Sequence, residues 1–294
     1  MNTRPITEDD FSAVATLLRE DEAHLYGRPS HIGVSEIREW TSDADLPNGS
    51  WLFEAADGIA AVGWAWPHND AATAIGVVHP RAKGAGLGAQ LVERSETFGR
   101  ETGLPRMRQF AVGSDTAAGE LLTSRGYRDV RRFYDMAIEL AEPPEVPEVP
   151  IETLRQGEER AFHAALDEAF QDHWEHHSRP FEEWWQQRSA PDAFDPTLWF
   201  VVRDGDEIAA VARNEANRNG GGYVGHLGVR RPWRGRGYAK ALLLHTFREF
   251  WRRGVHRVTL GVDAESPTGA THLYERVGMH VEAENVVFEK ALTE

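Results

Sequence analysis

Arg234-Gly235-Arg236-Gly237-Tyr238-Ala239 lies between a strand-like run, Tyr223 to Val229, and an amphipathic run that begins near Lys240. A glycine-rich turn that opens a helix leaves several backbone N–H groups unpaired and lets a ligand approach the main chain. The stretch therefore reads as a cradle for a pyrophosphate. Local charge agrees: Arg230, Arg231, Arg234, Arg236, Lys240, Arg248, Arg252, Arg253 and Arg257 stand against the single acid Glu249, in a chain of formal charge -15. An anionic ligand is expected at this turn.

Working outward, Ala239, Leu242, Leu243, Phe247, Phe250 and Trp251 recur at close to helical spacing and form a core stripe. A strand-like Arg257 to Asp263 follows, then Leu273-Tyr274-Glu275-Arg276-Val277-Gly278-Met279. The first half of the chain repeats this plan. Lys83-Gly84-Ala85-Gly86-Leu87-Gly88 follows the apolar run Ala74 to Val78 and precedes a helix with Leu91, Val92, Ser95 and Phe98 on one face. Gly86 and Gly237 are 151 residues apart, and Gly126 and Gly278 are 152 apart. A near-constant offset across distant landmarks indicates an internal duplication. Hairpins are expected around Asp57-Gly58 and Asp204-Gly205, and helices ahead of them near Glu8 to Glu20 and Glu158 to Phe170. Residues 141–150 hold four prolines and read as an extended linker. The expected organisation is thus 1–140, a linker at 141–150, and 151–294, each half an α/β domain with a mixed sheet.

The pattern Arg-x-x-Gly-x-Ala at Arg234 to Ala239, after a strand ending Leu227-Gly228-Val229, resembles the acyl-CoA motif of the GNAT superfamily of N-acyltransferases. Leu273 to Met279 resembles the family's Leu-Tyr-Glu-x-x-Gly-Phe segment. The resemblance implies two tandem GNAT-like domains, each a twisted mixed sheet flanked by helices, with acetyl-CoA as co-substrate. It implies that main-chain groups of Leu227 and Val229 pair with pantetheine. The pyrophosphate would rest on Arg234, Gly235, Arg236, Gly237, Tyr238, Ala239 and Lys240, and Ser266 stands near a cofactor-arm contact. Tyr274 takes the general-acid position and His226 the place where the family often has a glutamate base. In the first copy Leu122 and Ile75 stand at those two places, and neither handles a proton. That copy is expected to be degenerate, with Lys83, Gly84, Gly86 and Gly88 retaining a cofactor-binding turn. The tandem layout also resembles the mycothiol synthase group of actinobacterial proteins, without fixing the acceptor.

Within the resemblance, the segment after the first helix of the second copy walls the acceptor pocket, which makes His173, Trp174 and Trp184 candidate substrate contacts beside Phe170, Phe181 and Trp185. His173, His176 and His177 do not make a convincing metal set, because adjacent residues diverge on a helix. Gly84 to Ala89 satisfies a dinucleotide pattern, but its repeat partner breaks it. No cysteine is present, which excludes a disulfide and a cysteine acyl-enzyme and favours direct acyl transfer.

A chain of 294 residues with 41% hydrophobic content suits two ordinary globular domains. Its acidity argues against nucleic acid, and its hydropathy against a membrane span or a signal peptide. The expectation is a cytoplasmic monomer or homodimer, without metal, that acetylates a primary amine of a small molecule through its second domain. A detoxifying or self-resistance acetyltransferase is the alternative within enzymes, and a non-catalytic acyl-CoA sensor the alternative outside them.

Overall fold

A computed structural model describes residues 2–189 and 194–292. The chain divides into two compact units, Met1–Phe133 with Ala283–Glu294, and Tyr134–Glu282. In order, the first half supplies β1 (Asn2–Arg4), α1 (Phe11–Tyr26), α2 (Val34–Trp40), α3 (Leu46–Gly49), β2 (Ser50–Ala55), β3 (Gly58–His68), β4 (Ala71–Val78), α4 (Leu87–Glu101), β5 (Arg106–Val112), α5 (Thr116–Ser124) and β6 (Arg128–Glu139). The second half supplies β7 (Ile151–Thr153), α6 (Glu159–Phe170), α7 (Phe181–Arg188), β8 (Trp199–Asp204), β9 (Glu207–Arg218), β10 (Gly221–Val229), α8 (Tyr238–Arg252), β11 (Arg257–Asp263), α9 (Ala270–Arg276) and β12 (His280–Ala291).

The strand order in the first unit is β1-β2-β3-β4-β5-β12, and in the second β7-β8-β9-β10-β11-β6. Pairing is antiparallel from β1 to β4 and from β7 to β10, whereas β4 with β5 and β10 with β11 run parallel. A parallel neighbour needs a crossover, and the glycine-opened helices α4 and α8 provide it in the two units. This is the mixed α/β plan expected from the sequence, laid down twice.

Helix α8 buries Ala241, Leu242, Leu243, Thr246, Phe247 and Phe250 against its sheet. Each fully buried large side chain there contributes about 1.5–3 kcal/mol. The opposite face of the second unit's sheet is covered by α6 and α7, where Phe162, Leu166 and Trp184 pack with Trp199, Val201 and Val211.

Residues 141–150 contain no helix or strand. The unit boundaries nevertheless differ from the expected 1–140 and 151–294, because each unit takes its sixth strand from the other half of the sequence. Met136 of β6 is fully buried in the second unit's core, with Leu140 just beyond it. Val286 and Phe288 of β12 lie in the first unit's core, paired in register with β5 from Asn285↔Val112 to Ala291↔Arg106. Ion pairs of Lys290 with Glu96 (2.8 Å) and Glu289 with Arg108 (2.8 Å) hold β12 there. Alternation along a strand fixes which side chains are buried, but not which sheet the strand joins.

Candidate active site

The site in the second unit is set by a break in the alternation of β10. Gly222 backs onto α8, where an added Cβ would lie 2.7 Å from the Phe250 ring, and Val224 belongs to the same core. Simple alternation would turn His226 toward α8 as well. Instead the register with β9 slips between Val224 and His226, leaving Gly225 as an extra residue. Such a bulge re-aims the side chains beyond it. After it the even positions face α6: an added Cβ on Gly228 would lie 2.8 Å from Ala169 Cβ, and the His226 ring meets Phe170 edge-on at 5.6 Å.

The bulge also marks where the sheet opens. Parallel pairing of β10 with β11 covers Gly222↔Val258 and Tyr223↔Thr259, and from His226 to Val229 the strand pairs with β9. In the first unit β4 has no slip against β3, and its pairing with β5 runs on to Ile75↔Phe110. The cleft between the parallel strands therefore begins before His226 in the second unit and only after its counterpart Ile75 in the first.

At the mouth of the cleft, Gly235 (φ 78°) and Gly237 (φ 81°) adopt left-handed backbone, and Gly237 caps α8. An added Cβ on either would meet nothing within 4 Å, so conformation rather than packing calls for glycine, and the space over the turn is open. Gly84 (φ 83°) and Gly86 (φ 78°) repeat this geometry ahead of α4. Gly88 differs: it lies inside α4, where an added Cβ would stand 3.2 Å from Leu121, so it serves close helix packing.

Several cations of the cradle are already engaged. Arg234 donates to Asp172 (2.8 Å), to the Ala169 carbonyl (3.1 Å) and, through Nε, to the Val229 carbonyl (3.1 Å). Asp172 also pairs with Arg231, and the two guanidiniums hold its carboxyl well below the usual carboxylate range. Arg234 is thus a staple between the end of α6 and the cradle, and the Val229 carbonyl expected to face pantetheine is occupied. The first unit has the same device: Lys83 pairs with Asp21 (3.1 Å) and Asp115 (2.9 Å). Asp21 and Asp172 are 151 residues apart, as are Lys83 and Arg234, so the offset in the sequence already carried this pair. Arg236 reaches Asp204 at 3.5 Å, and Lys240 lies exposed on the first turn of α8, with Tyr238 and Ala239 half-buried beside it.

Tyr274 on α9 is 7% exposed, and burial, with a smaller effect from Tyr223, pushes its phenol well above 10. It stays protonated at neutral pH, as an acid must. Leu122, its counterpart in the first unit, is buried core. Ser266 sits in the turn before α9, its hydroxyl 2.9 Å from that of Thr268.

His226 lies differently from a base. Arg213 Nε donates to its Nδ1 at 3.3 Å, while Arg213 Nη1 and Nη2 both reach Glu215 Oε1, at 2.7 and 2.8 Å. Burial first, then Arg213, Arg188, Arg218 and His173, hold the imidazole well below its ordinary 6.5. A base needs a nitrogen free to take a proton, and Nδ1 already accepts from Arg213, beside guanidiniums that disfavour a second charge on the ring. The base reading of His226 is corrected on that ground. Motif position alone missed Arg213 and Glu215, and with glycines at 221, 222, 225 and 228 in one strand Gly225 did not stand out as a bulge.

The aromatic wall divides. His173 stacks on Phe170 at 4.3 Å and stays half-exposed, and burial lowers its pKa against the opposing charge of Asp263. Trp174, next along, is also half-exposed. Trp184 is instead a core residue at 7% exposure, packed on His163 (4.8 Å) and Trp199 (5.7 Å), which corrects its assignment to the acceptor wall. His176 pairs with Asp167 at 3.1 Å, and among the described residues no group of three or more His, Asp or Glu is arranged to hold a metal.

Residues 13–127 and 159–279 both match the model of the acetyltransferase (GNAT) family. The chain belongs to the acetyltransferase (GNAT) family. It is a tandem GNAT enzyme, of a family whose acyl donor is acetyl-CoA. Mycothiol acetyltransferase from Thermobispora bispora is 30% identical over 79% of this chain and 81% of its own, and that from Geodermatophilus obscurus is 31% identical over 99% and 100%. A GCN5-related N-acetyltransferase from Sphaerobacter thermophilus superposes with a TM-score of 0.84 at 34% identity, covering 100% of this chain and 96% of that one. A tandem GNAT protein from the clavulanic acid biosynthesis pathway shares the fold, with a TM-score of 0.74 at 15% identity over 100% and 99%. No helix among the described residues of this GNAT protein is long and apolar enough to cross a membrane.

Proposed function

We propose that the second unit of this GNAT protein transfers an acetyl group from acetyl-CoA to a primary amine of a small molecule by direct attack. The observation that carries this reading is the cleft itself. Strand β10 parts from β11 after Tyr223, and the freed stretch leads to the two left-handed glycines at the start of α8. The pyrophosphate rests on the N–H groups from Gly235 to Ala239, with Lys240 beside it, and pantetheine runs along the main chain near Leu227. The neutral amine nitrogen attacks the thioester carbon, and the tetrahedral intermediate expels the CoA thiolate. Tyr274 gives that thiolate its proton and recovers one from water, while the amine's proton leaves to solvent. Phe170, His173 and Trp174 border the acceptor.

The mycothiol acetyltransferases among the relatives make an amine of the mycothiol kind the first acceptor to try, with amine-bearing antibiotics as the second set. In the first unit Lys83 is held by Asp21 and Asp115, and the sheet stays closed through Ile75, so its cradle binds cofactor more weakly and catalyses nothing.

Calorimetric titration of the full chain with acetyl-CoA tests this. One tight site that disappears on Gly237→Glu is expected, with a second at least ~10-fold weaker, a gap of about 1.4 kcal/mol, that disappears on Gly86→Glu. A tight site that survives Gly237→Glu would overturn the assignment.

A further inference from the structure

A neutral imidazole has one nitrogen that donates and one that accepts, whereas a guanidinium has donors only and keeps its proton. Arg213 Nε, 3.3 Å from His226 Nδ1, must therefore be the donor, and Nδ1 the bare nitrogen. The ring hydrogen then sits on Nε2. We infer that His226 serves acetyl transfer as a neutral hydrogen-bond donor through Nε2–H, and that Arg213 is the positioning residue that fixes it in that form.

The contacts around Arg213 and the ring agree with the assignment. Arg213 is 2% exposed, and Glu215 orients its guanidinium through Nη1 and Nη2 at 2.7 and 2.8 Å. Gly225 leaves room for it, since an added Cβ would stand 3.3 Å from Arg213 Nη2. The edge contact with Phe170 at 5.6 Å sets the plane of the imidazole on the side of α6. The charged and titratable groups around it are Arg213, Glu215 and Arg218 from β9, Arg188 from α7, and His173 from the segment after α6. A second proton on the ring would bring a cation against guanidiniums on two elements. Placed at the open end of the cleft, Nε2–H suits an oxygen of the acceptor or the oxygen that gains charge as the amine attacks.

The role of Nε2–H rests on the acetyltransferase reading, but the tautomer can be read without turnover. Full-length protein labelled with ¹⁵N-histidine, its His226 signals assigned by their loss in His226→Gln, should show a bare Nδ1 and a protonated Nε2 from pH 5.5 to 8. In Arg213→Met, with the donor to Nδ1 removed, the same ring should lose its single tautomer and show its hydrogen shared between Nδ1 and Nε2. A protonated Nδ1, or titration of His226 within that range in the unaltered protein, would overturn the inference whether or not the Arg213 variant folds.

Activity supplies an independent arm. Glutamine keeps an N–H donor near the position of Nε2 but cannot act as a base, so His226→Gln should retain turnover within ~10-fold while His226→Ala loses ~10²-fold or more. Equal losses in both would sink the donor role. If the unaltered protein acetylates no amine at all, the functional reading fails while the imidazole signals still decide the tautomer.

Discussion

Tyr274 and His226 hold matching motif positions, yet their surroundings separate them. Burial, with a smaller effect from Tyr223, keeps the Tyr274 phenol protonated, which suits the proposed role of proton source for the departing thiolate. Tyr274→Phe should lower kcat by ~10²-fold or more, as expected for a lost general acid, with the KM for acetyl-CoA and the urea midpoint nearly unchanged. A kcat within twofold of the parent would end the assignment. The place of Tyr274 could be read from its motif, and its burial keeps a phenol protonated, which suits the proposed acid role. The base reading of His226 came from motif position alone, whereas its surroundings are set by burial and by Arg213, thirteen positions away in sequence and across a strand pair in space. Similarly, Trp184 falls on a segment read as pocket wall, but its contacts with Phe162, His163 and Trp199 make it core. An aromatic residue on a half-buried helix does not declare which of its sides meets solvent.

At the scale of elements, β10 and α8 were visible in the sequence as a strand, a glycine turn and an apolar stripe, because each of those signals is local. The bulge at Gly225 was not: it is defined by register against β9, a relation between two strands. It ends the pairing with β11, turns His226 toward α6 and makes room for Arg213. Gly225→Val would set its Cβ 3.3 Å from both Arg213 Nη2 and the Arg213 carbonyl oxygen, with the γ-methyls adding to the crowding. We expect a stability loss of ~1–3 kcal/mol, seen as a lower urea midpoint, and a fall in kcat that exceeds any rise in the KM for acetyl-CoA, since the cradle is untouched. A KM effect larger than the kcat effect would show that the bulge serves cofactor binding instead. The staple of α6 to the cradle through Asp172 and Arg234, repeated as Asp21 and Lys83, explains why a basic cradle in this family member does not offer all of its cations to a ligand.

For the whole molecule, the duplication was plain from the 151-residue offset, but the division of the chain was not. The second unit needs Tyr134–Glu139 of β6, and Met136 with Leu140 forms part of its core. A fragment 151–294 lacks both residues, a loss of ~3–6 kcal/mol by burial alone, which is comparable to the ~5–15 kcal/mol that usually holds a domain together. It should show no cooperative urea transition, whereas a fragment 134–282 should unfold cooperatively. A cooperative transition in 151–294 would refute the role given to β6. The sequence by itself determined the repeat, the α/β plan, the two glycine cradles and the family to which they belong, because turn chemistry, periodicity and charge act over a few neighbouring residues. Tertiary structure alone decided the owner of each sixth strand, the opening of one cleft and the closure of its twin, and the groups that surround His226. Those depend on strand register, burial and charges brought together from distant positions, and no local pattern encodes them.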